Sequence, residues 1–403
     1  MGFIGQIHMG GIYSMRLRVL VTVAASAVLF VGGQQLSAQQ MSPYPMMGGY
    51  PAVAPMGYPV PYTPAMPATY DVGQEAAAAA VPPAADCNGC GQPECMQCAC
   101  GCDCWNHKIA AFGEFLYLRA RNAEVAYGVP IDGPIVGPPS DFPIQVGRYG
   151  LVDQDYNPGF RFGVSYVLDG WSSVTAQYTY FDSESWDMIG TDAPNVIRSM
   201  VSHPGTLTAA QDFLTAEASH DIGFEFIDVD YRRALSCDDS HNVTFLAGVR
   251  VAEFDQDFAA TFSGTGSETV ETEIDFSGAG LRIGLEGERY TASRRWLVYG
   301  KTYGSFVAGE FTADYWQGQS YDPTVVDTSW EAGRIVPMLD LELGAGWQSR
   351  CGTWRITGGY MISAWYNCVK TDEWIKAVQS NNVVGLSDNM TFDGLVVRCE
   401  GRF

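Results

Sequence analysis

Residues 391–403 read TFDGLVVRCEGRF and alternate up to the final position. Leu395, Val397, Cys399, Gly401 and Phe403 share one parity; Arg398, Glu400 and Arg402 share the other. Side chains of a strand alternate with period 2, so this segment is a strand with one apolar face and one face of ion-pairable charge. Chain ends usually fray. A closed barrel, by contrast, must pair its last strand with its first, because only then is no edge left unpaired.

Nine further segments upstream carry the same two-sided pattern, at 112–121, 159–168, 172–181, 221–235, 242–254, 276–289, 295–311, 334–348 and 354–366. In 159–168, Phe160, Phe162, Val164 and Tyr166 oppose Arg161, Gly163 and Ser165; in 227–232, Ile227, Val229 and Tyr231 oppose Asp228, Asp230 and Arg232. The parity of 295–311 is the least regular. Connections alternate between short turns, at 169–170, 236–241, 292–294 and 350–352, and long loops, one of which carries a helical turn at 372–378. Short turns on one side and long loops on the other describe an all-β fold: a transmembrane antiparallel up-and-down β-barrel of about ten strands, within a range of about 8–12. An even count puts both ends of the barrel on the periplasmic side. Segments of about 10–15 residues are long enough to cross a bilayer when tilted. The competing reading is a soluble sandwich or barrel, with the apolar parity in a core. Trp171, Trp296, Trp347 and Trp354, all near strand ends, favour the membrane arrangement.

Composition agrees. Aromatic residues make up 13% of the 403 residues and Gly numbers 45, as expected for many tight turns and interfacial rings. Beyond residue 38 no run of about 18 apolar residues could span a bilayer as a helix. The net charge of −22 argues against nucleic-acid binding, which needs a basic footprint.

The N-terminal quarter is organised differently. Residues 1–38 read as a signal peptide with its better start at Met15: Arg16 and Arg18 precede an apolar run, and Leu36-Ser37-Ala38 is a cleavage box. Residues 39–86 are a disordered Pro/Met/Gly/Ala-rich linker. Residues 87–105 hold Cys87, Cys90, Cys95, Cys98, Cys100, Cys102 and Cys104. The spacer of four residues between the two CxxC pairs is too short for a zinc ribbon, and export favours disulfides over zinc. Disulfides, metal and no defined role all remain open; an odd count allows a cross-link to an envelope partner. Residues 106–403 form the barrel.

The segments FGEFLYLRARNAEVAYG (112–128), GFRFGVSYVLDGWSSVTAQYTYF (159–181), IDVDYRRAL (227–235), FLAGVRVAEFDQDF (245–258) and GLRIGLEGE (280–288) resemble the Legionella-type pore-forming outer-membrane protein family. Members with Cys/Pro-rich leaders are similar to those of wall-remodelled bacteria such as planctomycetes. The resemblance covers about 112–403 and implies a β-barrel porin in the bacterial outer membrane, in contact with outer-membrane lipid. The terminal Phe403 looks like the assembly signal of such barrels and implies the barrel-assembly machinery as a partner. The segment 39–104 departs from the family pattern.

If the charged parities face inward, the lumen carries Arg161, Arg232, Arg250, Arg282, Arg355 and Arg398 against Asp228, Asp230, Glu286, Glu288, Asp340, Glu342 and Glu400. Charges spaced around water make a weakly selective pore for small solutes or ions. Interlocked pairs instead plug a narrow barrel, and ten strands lie nearer the small filled barrels than the large open ones. A structural envelope anchor, tethered through the Cys-rich segment, is the alternative. A rim-active protease is a further one, with His203 and His220 expected in outer loops, but no motif supports it and the chain reads as a non-enzyme. No cofactor is expected, and no metal site is assigned. Solute choice and oligomeric state are not legible.

Overall fold

The computed structural model describes residues 105, 107–133, 144–206, 213–238, 240–350 and 352–403. The signal peptide, the linker and the cysteine cluster at 87–104 lie outside the described residues, as does Cys351. Thirteen strands form one sheet: β1 (Ile109–Arg121), β2 (Val125–Ile131), β3 (Gly150–Val152), β4 (Asn157–Asp169), β5 (Ser172–Gly190), β6 (Val196–Ser199), β7 (Phe213–Cys237), β8 (His241–Gly264), β9 (Ser267–Tyr290), β10 (Trp296–Gln319), β11 (Val326–Gln348), β12 (Trp354–Cys368) and β13 (Asp388–Arg402). Ten of them close a ring, in the order β1-β4-β5-β7-β8-β9-β10-β11-β12-β13, with every neighbouring pair antiparallel. These ten are the strands read from the alternating pattern.

Closure lies where the terminal strand places it. β13 pairs with β1 from Ala110↔Arg402 to Arg121↔Thr391. The Phe403 carbonyl accepts from the backbone N–H of Lys108 (2.7 Å) and Ile109 (3.0 Å), and its own N–H donates to Ile109 O at 2.8 Å. The last backbone groups are therefore satisfied inside the ladder, as lipid requires.

Each long strand changes character along its length. In the half nearest the short turns, apolar side chains point out: Phe160, Val164, Val249, Ile283, Leu343 and Leu395 are all exposed. On β11 the outward apolar run from Ile335 to Ala345 covers ten steps, about 33 Å along the strand and about 25 Å in height at the ~40° tilt usual for such barrels. In the half nearest the long loops the sense inverts. Phe254, Phe258 and Phe262 of β8 point in and are at most 2% exposed, while Glu253, Asp255 and Asp257 point out.

Most outward acids of this half lie in three ladder rows across β5–β11. One row carries Glu225, Glu253 and Glu310; the next Asp182, Asp255, Asp275 and Glu331; the third Glu184, Asp221, Asp257, Glu273 and Asp314. No Lys or Arg occupies these rows.

This inversion explains where the strand ends differ from the sequence reading. β7 to β11 run 23–25 residues, because the ladder continues past the point where an apolar face outside becomes an apolar face inside. Three short strands were also unforeseen. β2 pairs with β3 and β6, and β6 joins the ring through Ile197↔Phe213. They lie in loop segments whose apolar runs are too short to show a period.

The helical turn expected at 372–378 is a full helix, α1 (Thr371–Ser380). Asp372 and Glu373 in its first turn suit the N-terminal dipole. Asn381, in the left-handed region at φ 52°, ends it. Trp374, Ile375, Ala377 and Val378 form its buried face.

Candidate functional site

The interior of the ring is filled, and its contents are layered. Nearest the short turns is a layer of ion pairs. Glu114 on β1, with a side chain 1% exposed, accepts from Arg161 on β4 at 2.6 Å and from Arg398 on β13 at 3.0 Å. Glu400 is shared by Arg398 and Arg402, each at 2.6 Å. Arg355 of β12 reaches Glu288 of β9 at 2.6 Å, Lys301 reaches Glu342 at 2.9 Å, and Arg232 pairs with Glu286. The guanidinium of Arg398 lies 3.6 Å from the Phe112 ring centroid, a stacked cation–π contact that also covers the charge. That ring has space because Gly163 faces it: a Cβ there would lie 2.5 Å from Phe112.

The middle layer is a tighter cluster. Arg250 of β8 donates from Nε to Asp228 at 2.7 Å and from Nη1 to Asp340 of β11 at 3.1 Å. Arg282 bonds Asp230 at 2.5 Å and Asp228 at 3.2 Å. Gln177 donates to Asp228 at 2.8 Å, and the Ser363 hydroxyl donates to Asp340 at 2.5 Å. Aromatic faces complete the shell: Arg250 sits 4.5 Å from the Phe226 centroid and Arg282 sits 4.2 Å from that of Tyr303.

Above the charges comes an aromatic layer. Phe181, Phe224, Phe226, Phe254, Trp365 and Phe392, from five strands, meet in the middle of the lumen with centroid separations of 4.7–5.9 Å. α1 closes the loop end over them. Its Trp374 donates to the Asp314 carbonyl at 3.0 Å. A small polar node holds the helix start: Thr371 Oγ1 lies 3.2 Å from His220 Nε2 and 3.3 Å from Gln256 Oε1. Lys370 ties the same end to Asn122 O at 3.0 Å and to Asp388.

All thirteen charged residues singled out from the sequence point into the ring: Arg161, Asp228, Asp230, Arg232, Arg250, Arg282, Glu286, Glu288, Asp340, Glu342, Arg355, Arg398 and Glu400. Three partners were missing from that set. Glu114 was legible in its register with Arg161. Lys301 was masked because its outward neighbours Gly300, Thr302 and Gly304 give no apolar parity. Arg402 completes the pairing of Glu400. With them the lumen carries eight cations and eight carboxylates, most of them paired.

His220 is a correction. It lies inside β7, 1% exposed beneath α1, not in an outer loop. The residues preceding it, Phe213 to Ser219, show apolar–polar alternation in the inverted sense and so read as loop. His203 does lie in a loop, where its Nδ1 accepts from the Gly205 N–H at 3.1 Å.

Two cavities lie within the charged half. The larger, 70 Å³, lies at the turn end; the smaller, 20 Å³, lies between Phe112, Glu114 and Arg282 and shares Arg232, Glu286, Lys301 and Arg398 with the first. A water needs about 10–15 Å³ of such volume, so both can be hydrated. Among the described residues no group of His, Cys, Asp and Glu is arranged to hold a metal ion.

Residues 101–400 match the sequence family described as the Legionella pneumophila major outer membrane protein precursor. No curated protein matches the chain. Solved structures similar to it include the outer membrane protease OmpT from Escherichia coli, at 12% identity over 73% of this chain and 97% of that one, with a TM-score of 0.42. The toluene transporter TodX of Pseudomonas putida matches at 9% identity over 74% and 90%, TM-score 0.29. A FadL homologue of Pseudomonas aeruginosa matches at 10% identity over 73% and 90%, TM-score 0.22.

Proposed function

The chain belongs to the Legionella pneumophila major outer membrane protein family, and on that premise we propose that it is an outer-membrane pore of low conductance, closed in this state, passing small ions and solutes by passive diffusion. The observation that carries this is the ion-paired half of the lumen. Eight cations and eight carboxylates, nine of the sixteen buried and the rest partly buried, are a poor way to stabilise a barrel that only has to be solid. Desolvating such pairs costs more than filling the same space with apolar side chains, by about 1–4 kcal/mol for a buried pair or triad. The arrangement suits an interior that meets water, and the two cavities lie within it.

The obstruction is the aromatic layer with α1. It consists of side chains that meet across the lumen and one connection laid over them, so passage requires those rings to part and the helix to shift. The ion pairs below would then act as a narrow, nearly neutral filter with weak selectivity. The test is the refolded full chain in planar bilayers: brief, small openings are expected, and bilayers that stay silent over long recordings would overturn the reading.

The density of the aromatic layer favours a second reading, a non-conducting barrel that anchors the N-terminal segment in the envelope. Under it, bilayers stay silent even after the aromatic layer is thinned. Neither reading assigns the chain a catalytic role, since His203 and His220 have roles in loop and helix packing.

A further inference from the structure

The larger cavity carries more than space. Trp105 and His107 border it, and Arg232, Lys301, Arg355, Arg398 and Arg402 line it against Glu286, Glu288 and Glu400. Its lining therefore holds two more positive than negative charges, inside a chain whose net charge is −22. Lys301 and Arg398 also reach Glu342 and Glu114 behind the wall, so the excess belongs to the lining itself and not to the whole charged layer.

A second, independent observation concerns hydrogen bonds. Nε of Arg232, Nε of Arg355, Oγ of Ser173 and Oδ1 of Asn242 are buried with no hydrogen-bond partner, and all four residues line this cavity. Ser173 is 1% exposed and Arg355 is 6% exposed. Buried polar groups are nearly always paired, and leaving one unpaired costs about 1–3 kcal/mol. Four of them around one space mark a place for a polar occupant. Two arginine N–H groups and a serine hydroxyl are donors. The Asn242 amide, turned about its last bond, presents a fourth, its oxygen and nitrogen being nearly isosteric.

We propose that this cavity is a binding site for a small oxyanion, of which inorganic phosphate and sulfate are the type. Guanidinium N–H groups match the oxygens of such anions in geometry and charge. The volume of 70 Å³ equals about five water-sized positions. That suits a tetrahedral anion of five heavy atoms and is too small for a nucleotide or a sugar. The ring of ten strands separates the site from lipid, so the anion comes from solution and not from a headgroup. The site stands whether or not the lumen conducts.

The experiment titrates inorganic phosphate into the refolded full chain in detergent at constant ionic strength, with chloride as control, and follows both binding heat and unfolding temperature. Saturable binding and a raised unfolding temperature are expected with phosphate and not with chloride. Arg355→Gln should weaken phosphate binding at least tenfold and Ser173→Ala about threefold. Where Arg355→Gln, which takes the guanidinium from Glu288 and leaves it only the Tyr290 hydroxyl, impairs folding, Ser173→Ala, which removes only a hydroxyl, decides. Equal effects of phosphate and chloride, or parent-like phosphate binding by the folded variants, would overturn the proposal.

Discussion

Phe224 of β7 and Trp365 of β12 face each other across the lumen with ring centroids 5.3 Å apart, although their strands stand on opposite sides of the ring. Both also contact Phe392, at 4.9 Å and 4.7 Å. The contact works as a crossbar: it bridges two walls that share no backbone hydrogen bond.

Removing the crossbar should open the lumen and weaken the barrel together. Trp365→Ala is expected to cost about 3–5 kcal/mol, the usual loss for a buried aromatic, and to raise the single-channel conductance of the refolded chain severalfold. Urea unfolding in vesicles reads the first effect and planar bilayers read the second. A destabilised variant with unchanged, silent bilayers would favour the anchor reading.

Asp228 should be the most sensitive single charge. It is fully buried and receives Arg250 at 2.7 Å, Arg282 at 3.2 Å and Gln177 at 2.8 Å. Asp228→Asn keeps the shape and leaves two buried guanidiniums short of a counter-charge, with an expected loss of about 3–5 kcal/mol. The exposed pair Arg119–Asp153 is the comparison: Arg119→Ala should cost under about 1 kcal/mol. Midpoints of urea unfolding that do not separate the two variants would show that the charged layer is not stabilising.

The change of parity predicts a boundary in the response to arginine. Ile283→Arg, in the outward apolar band, should cost about 2–4 kcal/mol, whereas charges near the edge of such a band cost about 0–1. Asp275→Arg, only eight residues away on the same face of β9, should fall at or below the lower figure, because it also relieves the acids beside it. Vesicle-based unfolding free energies measure both.

α1 is expected to come loose when its strap is cut. Lys370 is 6% exposed and reaches Asp388 and the Asn122 carbonyl. Lys370→Ala should speed tryptic cleavage after Lys376, whose side chain is 71% exposed, without unfolding the ring. Partial burial opposes ionisation of Asp388, but the hydrogen-bonded Lys370 ammonium wins and holds its carboxyl below the ordinary 3.8. A carboxylate with a depressed folded pKa contributes stability above its unfolded value and loses it as pH falls through the folded one. The near-ultraviolet circular dichroism of the ordered α1 in the parent chain should thus stay constant above about pH 4 and be lost only below it.

The ten staves of the ring and thirteen of its inward charges were legible because the period-2 pattern is strongest where lipid lies outside. What escaped was the half of each strand beyond the lipid. There Phe254, Phe258 and Phe262 point inward in the sense of a soluble protein, acids take the outward places beside Phe254 and Phe258, and the apolar face of Val249 and Val251 ends. The aromatic crossbar was hidden for the same reason: Phe224 and Trp365 each look like ordinary strand residues, and only the ring closure brings their sides together. Lys301 escaped through the glycines around it, and His220 because its strand begins in the inverted sense.

The rows of acids above the apolar band also bear on how copies of this barrel share a membrane. Two barrels that drift together on their β5–β11 sides bring carboxylate against carboxylate within the ~8 Å Debye length of physiological salt. Their greasy bands would let them touch; the charge above holds them off. Lateral crowding on that flank should therefore follow ionic strength, and the β12–β4 flank, where Arg119 and Arg121 offset Asp153 and Asp393, is the one on which close approach meets no such resistance.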